Sequence, residues 1–260
     1  MNTNQLIEQY VAYRRSLGER FETNARVLRA FGRFVGESKK PEHVSPKSIK
    51  KFVDGKGPIT NSRRIRYDAV RGLYRYAISR DFVASNPMPP EVPKWGPSLA
   101  PYIYTRDEIQ RLLQAADSCP SRTLSEPDTT RTILLLLYGT GVRIREAIAM
   151  DDADVDLDEC VITVRKTNFY KSRLVPFSQQ LHDVLARYAK CRRPAATGDN
   201  ERPFFTSRTG MRLNQHTFTE LFRRLCNRAG IRRNDAKYQP RLHDLRHTFA
   251  VHRLTTWYQN

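Results

Sequence analysis

Along the first 85 residues, apolar side chains recur every three or four positions, the spacing of helices that bury one face. Leu6, Tyr10, Tyr13 and Leu17 mark a first helix, which Gly18 ends. Thr23 to Val35 carries Val27, Leu28, Phe31, Phe34 and Val35 on one side of a second. Ser45-Pro46 joins a capping hydroxyl to a proline at the first helical position, opening a helix with Ile49, Phe52 and Val53. After the break at Gly55-Lys56-Gly57-Pro58, a fourth helix is expected from about Thr60 to Ser79, with Ile65, Ala69, Leu73, Tyr74 and Ala77 inward. Residues 86–101 are too rich in proline for a helix and read as a stiff, extended linker between two domains.

Helical periods resume with Thr105-Arg106-Asp107-Glu108, a cap with acidic residues in the first turn, followed by Ile109, Leu112 and Leu113. Thr129 to Tyr138 reads as a buried helix, Gly139-Thr140-Gly141 as a turn, and Ile144 to Met150 as a restarted helix. The period then shortens to two. Val161-Ile162-Thr163-Val164 and Ser172-Arg173-Leu174-Val175-Pro176-Phe177 predict two strands joined by a basic hairpin tip, Arg165 to Lys171. Helices are expected at 178–190, 214–229 and 243–256. The fold class is mainly α with one small antiparallel β-sheet.

Charge adds a partner to this layout. The 260 residues hold 45 Lys and Arg against 27 Asp and Glu, a net +18. Residues 1–100 carry +10, residues 101–160 carry −6 and residues 161–260 carry +14. Two basic regions around an acidic one suggest a polyanion gripped from two sides, and double-stranded DNA is the default partner. Arg63, Arg64, Arg66, Arg71 and Arg75 crowd the fourth helix and are candidates to lie along a phosphate backbone, as are Lys171 and Arg173. No stretch approaches the length of a membrane span, and Met1-Asn2-Thr3-Asn4-Gln5 does not open a secretory signal. Cys119, Cys160, Cys191 and Cys226 are too widely spaced for a metal site, and a reducing cytoplasm, in association with the nucleoid, is the expected compartment.

Two segments carry candidate chemistry. In Gly139-Thr140-Gly141-Val142-Arg143-Ile144-Arg145-Glu146, Arg143 follows a tight turn and opens a helix, where packing fixes its position. A guanidinium held in that way binds two phosphate oxygens at once, and Glu146 is placed to orient it. In Arg241-Leu242-His243-Asp244-Leu245-Arg246-His247, His243 and Arg246 share a helical face, an acid/base beside a phosphate-binding cation. His243 and His247 superficially match a zinc motif, but no third ligand is placed and Arg246 would oppose the metal. The alternating Asp152, Asp154, Asp156 and Asp158 put Leu157 where a calcium loop needs glycine and read as a polar turn anchored by Val155 and Leu157. No metal or cofactor is expected.

These two segments, in this order and about a hundred residues apart, resemble those of tyrosine recombinases, the phage-integrase type of DNA strand-exchange enzyme. The resemblance covers nearly the whole chain. It implies a helical core-binding (SAM-like) DNA-binding domain over 1–85, the linker at 86–101, and a DNA breaking-rejoining domain over 102–260. It implies catalytic roles for Arg143, His243 and Arg246, with Glu146 in support, and a 3′-phosphotyrosine intermediate formed without cofactor. It further implies a C-shaped clamp around DNA and a tetramer during exchange; a chain lacking the later segments is expected to be monomeric without DNA.

Two departures stand out. The family's hairpin-tip lysine, which protonates the leaving oxygen, aligns with Asn168, and Lys166 or Lys171 is the candidate to replace it. Lys166 shares the strand face of Asn168 and is preferred. The family's nucleophilic tyrosine lies some thirty residues beyond the second arginine, whereas only 14 residues follow Arg246. Tyr258 lies about 18 Å along a continued helix from Arg246, too far to share its phosphate, and the same spacing sets Trp257 aside. The expected function is therefore a DNA-binding recombinase or integrase, catalytically incomplete as given. The alternative is a non-catalytic DNA-binding protein of recombinase fold, acting as regulator or competitor for sites. A metal-dependent nuclease is disfavoured by the lack of a carboxylate cluster.

Overall fold

The computed structural model describes residues 1–56, 61–94, 100–118, 126–165, 172–192, 202–234 and 238–259. The chain divides into two compact units, Met1–Leu99 and Ala100–Asn260.

Among the described residues, the first unit has the α-helices α1 (Thr3–Ser16), α2 (Glu22–Val35), α3 (Pro46–Asp54) and α4 (Ser62–Ser79), with a 3-10 turn at Pro41–His43. The Asn2 side chain caps α1, and Ser45 caps α3 ahead of Pro46. Their apolar stripes meet in a core that includes Leu6, Leu28, Phe31, Ile49, Leu73 and Tyr74, each fully buried. Residues of the proline-rich segment join this unit. Tyr67 Oη donates to the Pro89 carbonyl (3.4 Å), Arg64 Nη1 to that of Pro93 (3.2 Å), and Lys50 pairs with Glu91 (3.0 Å). Extended proline-rich backbone leaves its carbonyls unpaired, so neighbouring donors collect them.

The second unit runs α5 (Arg106–Asp117), α6 (Pro127–Thr140), α7 (Ile144–Ala149), β1 (Val155–Asp156), β2 (Val161–Val164), β3 (Arg173–Pro176), α8 (Gln179–Cys191), α9 (Gln215–Arg228) and α10 (Leu242–Gln259). Thr105 and Glu108 form a reciprocal capping box at the start of α5 (3.1 and 2.9 Å). The buried helix α6 supplies Ile133, Leu134, Leu136 and Leu137 to a core shared with Tyr104, Phe205 and Phe222. Strands β1, β2 and β3 form an antiparallel sheet in that order, with Val155 opposite Ile162 and Val164 opposite Arg173.

The expected pair of strands is thus three. β1 lies inside the acidic stretch read as a turn, because Asp151 and Asp154 first close a 3-10 turn that delivers Val155 to the sheet (Asp151 N to Asp154 Oδ2, 3.0 Å). The neighbouring carboxylates are matched by arginines from distant segments. Asp151 pairs with Arg212 and Asp152 with Arg192, each at 2.6 Å, and the buried Asp154 pairs with Arg165. Val155 and Leu157 pack on the core as expected. Among the described residues no group of three His, Cys, Asp or Glu is placed to hold a metal ion, and no helix is long and apolar enough to cross a membrane.

Candidate active site

The site begins at the end of α6. Gly141 adopts the left-handed conformation (φ 64°) that ends the helix, and its N–H bonds the Leu137 carbonyl (3.0 Å). A side chain there would also collide with α10, since an added Cβ would stand 2.5 Å from Cδ1 of Phe249. Val142 is buried, Ile144 packs on the core, and Arg143 between them is the N-cap residue of α7. Its backbone is anchored on both sides while its guanidinium remains half exposed.

Glu146 holds this arginine in place. Its Oε2 accepts the Arg143 N–H (2.9 Å) and its Oε1 accepts Arg143 Nη1 (3.0 Å). Arg173, the first residue of β3, then closes on the same carboxylate from the sheet, Nη1 to Oε1 at 3.0 Å and Nη2 to Oε2 at 2.7 Å. Burial alone would raise the Glu146 pKa. The Arg173 side chain, the Arg143 amide and the Arg143 guanidinium outweigh it and hold the carboxyl at about 2.

The second segment comes from α10. Arg246 donates from Nη1 to the Gly141 carbonyl, which ties α10 to the turn carrying Arg143. Burial lowers the Arg246 pKa, and the positive charges of Arg143 and Arg173 lower it further against the opposing pull of Glu146. Three guanidiniums therefore share one region around a single carboxylate, an electrostatic demand for an anion. His243, one helical turn before Arg246, stands at the surface with its ring edge-on to His247 (centroids 5.0 Å apart). Its pKa lies below the ordinary histidine value, through burial first, then through His247, Arg241 and Arg246. It is accordingly neutral at pH 7 and ready to accept a proton.

The fully buried Asp244 fixes the start of α10. It accepts from the Arg241 amide (2.9 Å) and from its guanidinium (2.9 and 3.3 Å). Thr248, also buried, donates to the Asp244 carbonyl (2.9 Å) and accepts the Tyr104 amide (3.0 Å). In the sequence, Asp244 carries only the signal of an acidic residue in the first helical turn, which does not foretell this role.

The expected residues distribute as follows. Arg143, Glu146 and Arg246 meet, with His243 on the same helix as Arg246. Arg173, expected on DNA, is committed to Glu146. In α4, Arg63 pairs with Asp54, Arg64 with Asp68 (2.8 Å), and Arg66 bonds the Phe52 carbonyl (3.5 Å). Arg71 and Arg75 are exposed and have neither hydrogen bond nor ion pair among the described residues. Lys166, Asn168 and Lys171 lie outside the described residues. Tyr258 sits on the last turn of α10 with 80% of its surface exposed, and Trp257 beside it is 72% exposed.

The phage integrase family profile matches residues 103–255. A putative integrase/recombinase of Sinorhizobium fredii is 34% identical over 98% of this chain and 82% of its own length. Among solved structures, the Tn1549 transposon integrase in complex with transposon right end DNA is similar over 98% of this chain and 87% of that one, with a TM-score of 0.75 at 18% identity. A lambda integrase tetramer bound to a Holliday junction matches 96% of this chain and 72% of that one, with a TM-score of 0.67 at 16% identity. The match over most of the second unit, the relative that spans both units, and the meeting of Arg143 with Arg246 agree: this chain belongs to the phage integrase family of tyrosine recombinases.

Proposed function

We propose that this chain binds duplex DNA and activates one backbone phosphodiester, with residues 1–85 as core-binding domain, 86–101 as linker and 102–260 as catalytic domain. The observation that carries this reading is the attachment of Arg246 to the Gly141 carbonyl, two residues from a Glu146-oriented Arg143. Arg143 and Arg246 bind the non-bridging oxygens and stabilise the charge that builds on a pentacoordinate phosphorane. His243, neutral at pH 7, takes the proton of an attacking hydroxyl and returns it on reversal. Arg71 and Arg75, exposed and without a hydrogen bond or ion pair among the described residues, reach the backbone elsewhere. Duplex DNA is also the partner named for the Tn1549 integrase, and a tetramer on a junction is the assembly named for the lambda enzyme. Both support the same partner here, in the nucleoid.

A tyrosine attacking this phosphate would form a 3′-phosphotyrosine and release a 5′ hydroxyl. Tyr258 stands three turns along α10, about 18 Å by helical rise, and points its ring into solvent. Tyr258 as placed on α10 is therefore not the residue that attacks the phosphate held by Arg143 and Arg246. The test is incubation with nicked duplex substrates followed by denaturing electrophoresis. Duplex binding without a covalent adduct is expected. An adduct abolished by Tyr258→Phe would overturn the assignment of Tyr258, and failure of Arg143→Ala to weaken binding would overturn the site.

A further inference from the structure

Arg173 was expected to touch DNA. Its guanidinium is instead spent on a carboxylate that another arginine also uses. Glu146 has about four acceptor positions on its two oxygens. Arg173 fills one on each oxygen, the Arg143 amide fills a third, and a single N–H of the Arg143 guanidinium fills the last. Arg143 makes no other side-chain hydrogen bond among the described residues, so most of its five donors remain free, and half of its side chain faces solvent.

We infer that Arg173 is a positioning residue, which occupies Glu146 so that Arg143 stays available to phosphate. This rests on the phosphate-activating reading above. Without Arg173, two acceptor positions on Glu146 open beside a guanidinium already in contact with it. A two-pronged arginine–carboxylate pair is the favoured geometry for such neighbours. Arg143 would turn onto Glu146 and its second prong would be lost to phosphate. Glu146 therefore has two possible partners for a two-pronged grip, and the strand decides which one it takes. The contact also ties the strand that leaves the hairpin tip to the turn that carries Arg143, so the two sides of the site keep a common register.

A double-mutant cycle on the 260-residue chain tests this, read by fluorescence anisotropy with a short random-sequence duplex. Loss of one charge weakens attraction to DNA generally, but by the same factor in either background, so it cancels in the cycle. Arg173→Ala is expected to weaken binding about tenfold in the native chain and less than about twofold in an Arg143→Ala background. Adding Glu146→Gln to Arg173→Ala should bring affinity back toward that of Glu146→Gln alone, because a neutral amide no longer captures Arg143. An equal loss in both backgrounds would mean that Arg173 contacts DNA itself, and would overturn the inference while sparing the site. An Arg143→Ala chain that binds like the native one would overturn both. Should Arg173→Ala fail to fold, Arg173→Lys enters the same cycle. One ammonium does not span both carboxylate oxygens as a guanidinium does, so a smaller loss is expected, again confined to chains that retain Arg143.

Discussion

Glu146 concentrates the electrostatics of the site in one ionisation. Its carboxyl sits at about 2, below the ordinary 4.5, so the stability that it adds is complete above about pH 4.5 and disappears as pH falls toward 2. On the order of 2–3 kcal/mol of acid-labile stability belongs to this group. Glu146→Gln should lower stability at neutral pH and flatten the loss between about pH 4.5 and 2, measured by urea unfolding at a series of pH values. A native-like slope in that window would remove Glu146 from this role. The link between Glu146 and Arg143 was legible in the sequence, because two residues three apart at a helix start lie side by side. The link to Arg173 was not. It joins a helix to a strand 27 residues later, and only the register of β3 brings them together.

At the scale of elements, the site depends on how closely α10 packs on the end of α6. Gly141 serves twice, by adopting a conformation that strains other residues and by leaving room for Phe249. Gly141→Ala should cost about 2–4 kcal/mol, part backbone strain and part overpacking, read as a lower thermal midpoint. Trimming Phe249 to leucine in that variant should recover the overpacking share alone. A midpoint unchanged by Gly141→Ala would mean that the turn relaxes at no cost. The long helices could be read from their apolar period to within a few residues, α10 and α6 included. β1 could not, since two residues carry no period and the aspartates around it suggested a turn.

Across the whole molecule, the +18 charge is not spread evenly over the surface, because folding matches much of the acidic stretch with arginines of its own unit. Duplex affinity should fall by about 10³-fold or more between about 50 and 200 mM salt, as for six to ten phosphate contacts, and a flat response in anisotropy titrations would remove the electrostatic basis for binding. Charge alone pointed to a polyanionic partner but could not choose among the arginines. Arg63 and Arg71 look alike in sequence, yet Asp54 folds against the first. The bond from Arg246 to the Gly141 carbonyl has a consequence in time as well as in space. Synthesis makes α6 and α7 more than ninety residues before α10. On the proposed function, the emerging chain is until α10 docks a grip without a trigger, able to hold a duplex by charge before it can activate a phosphate.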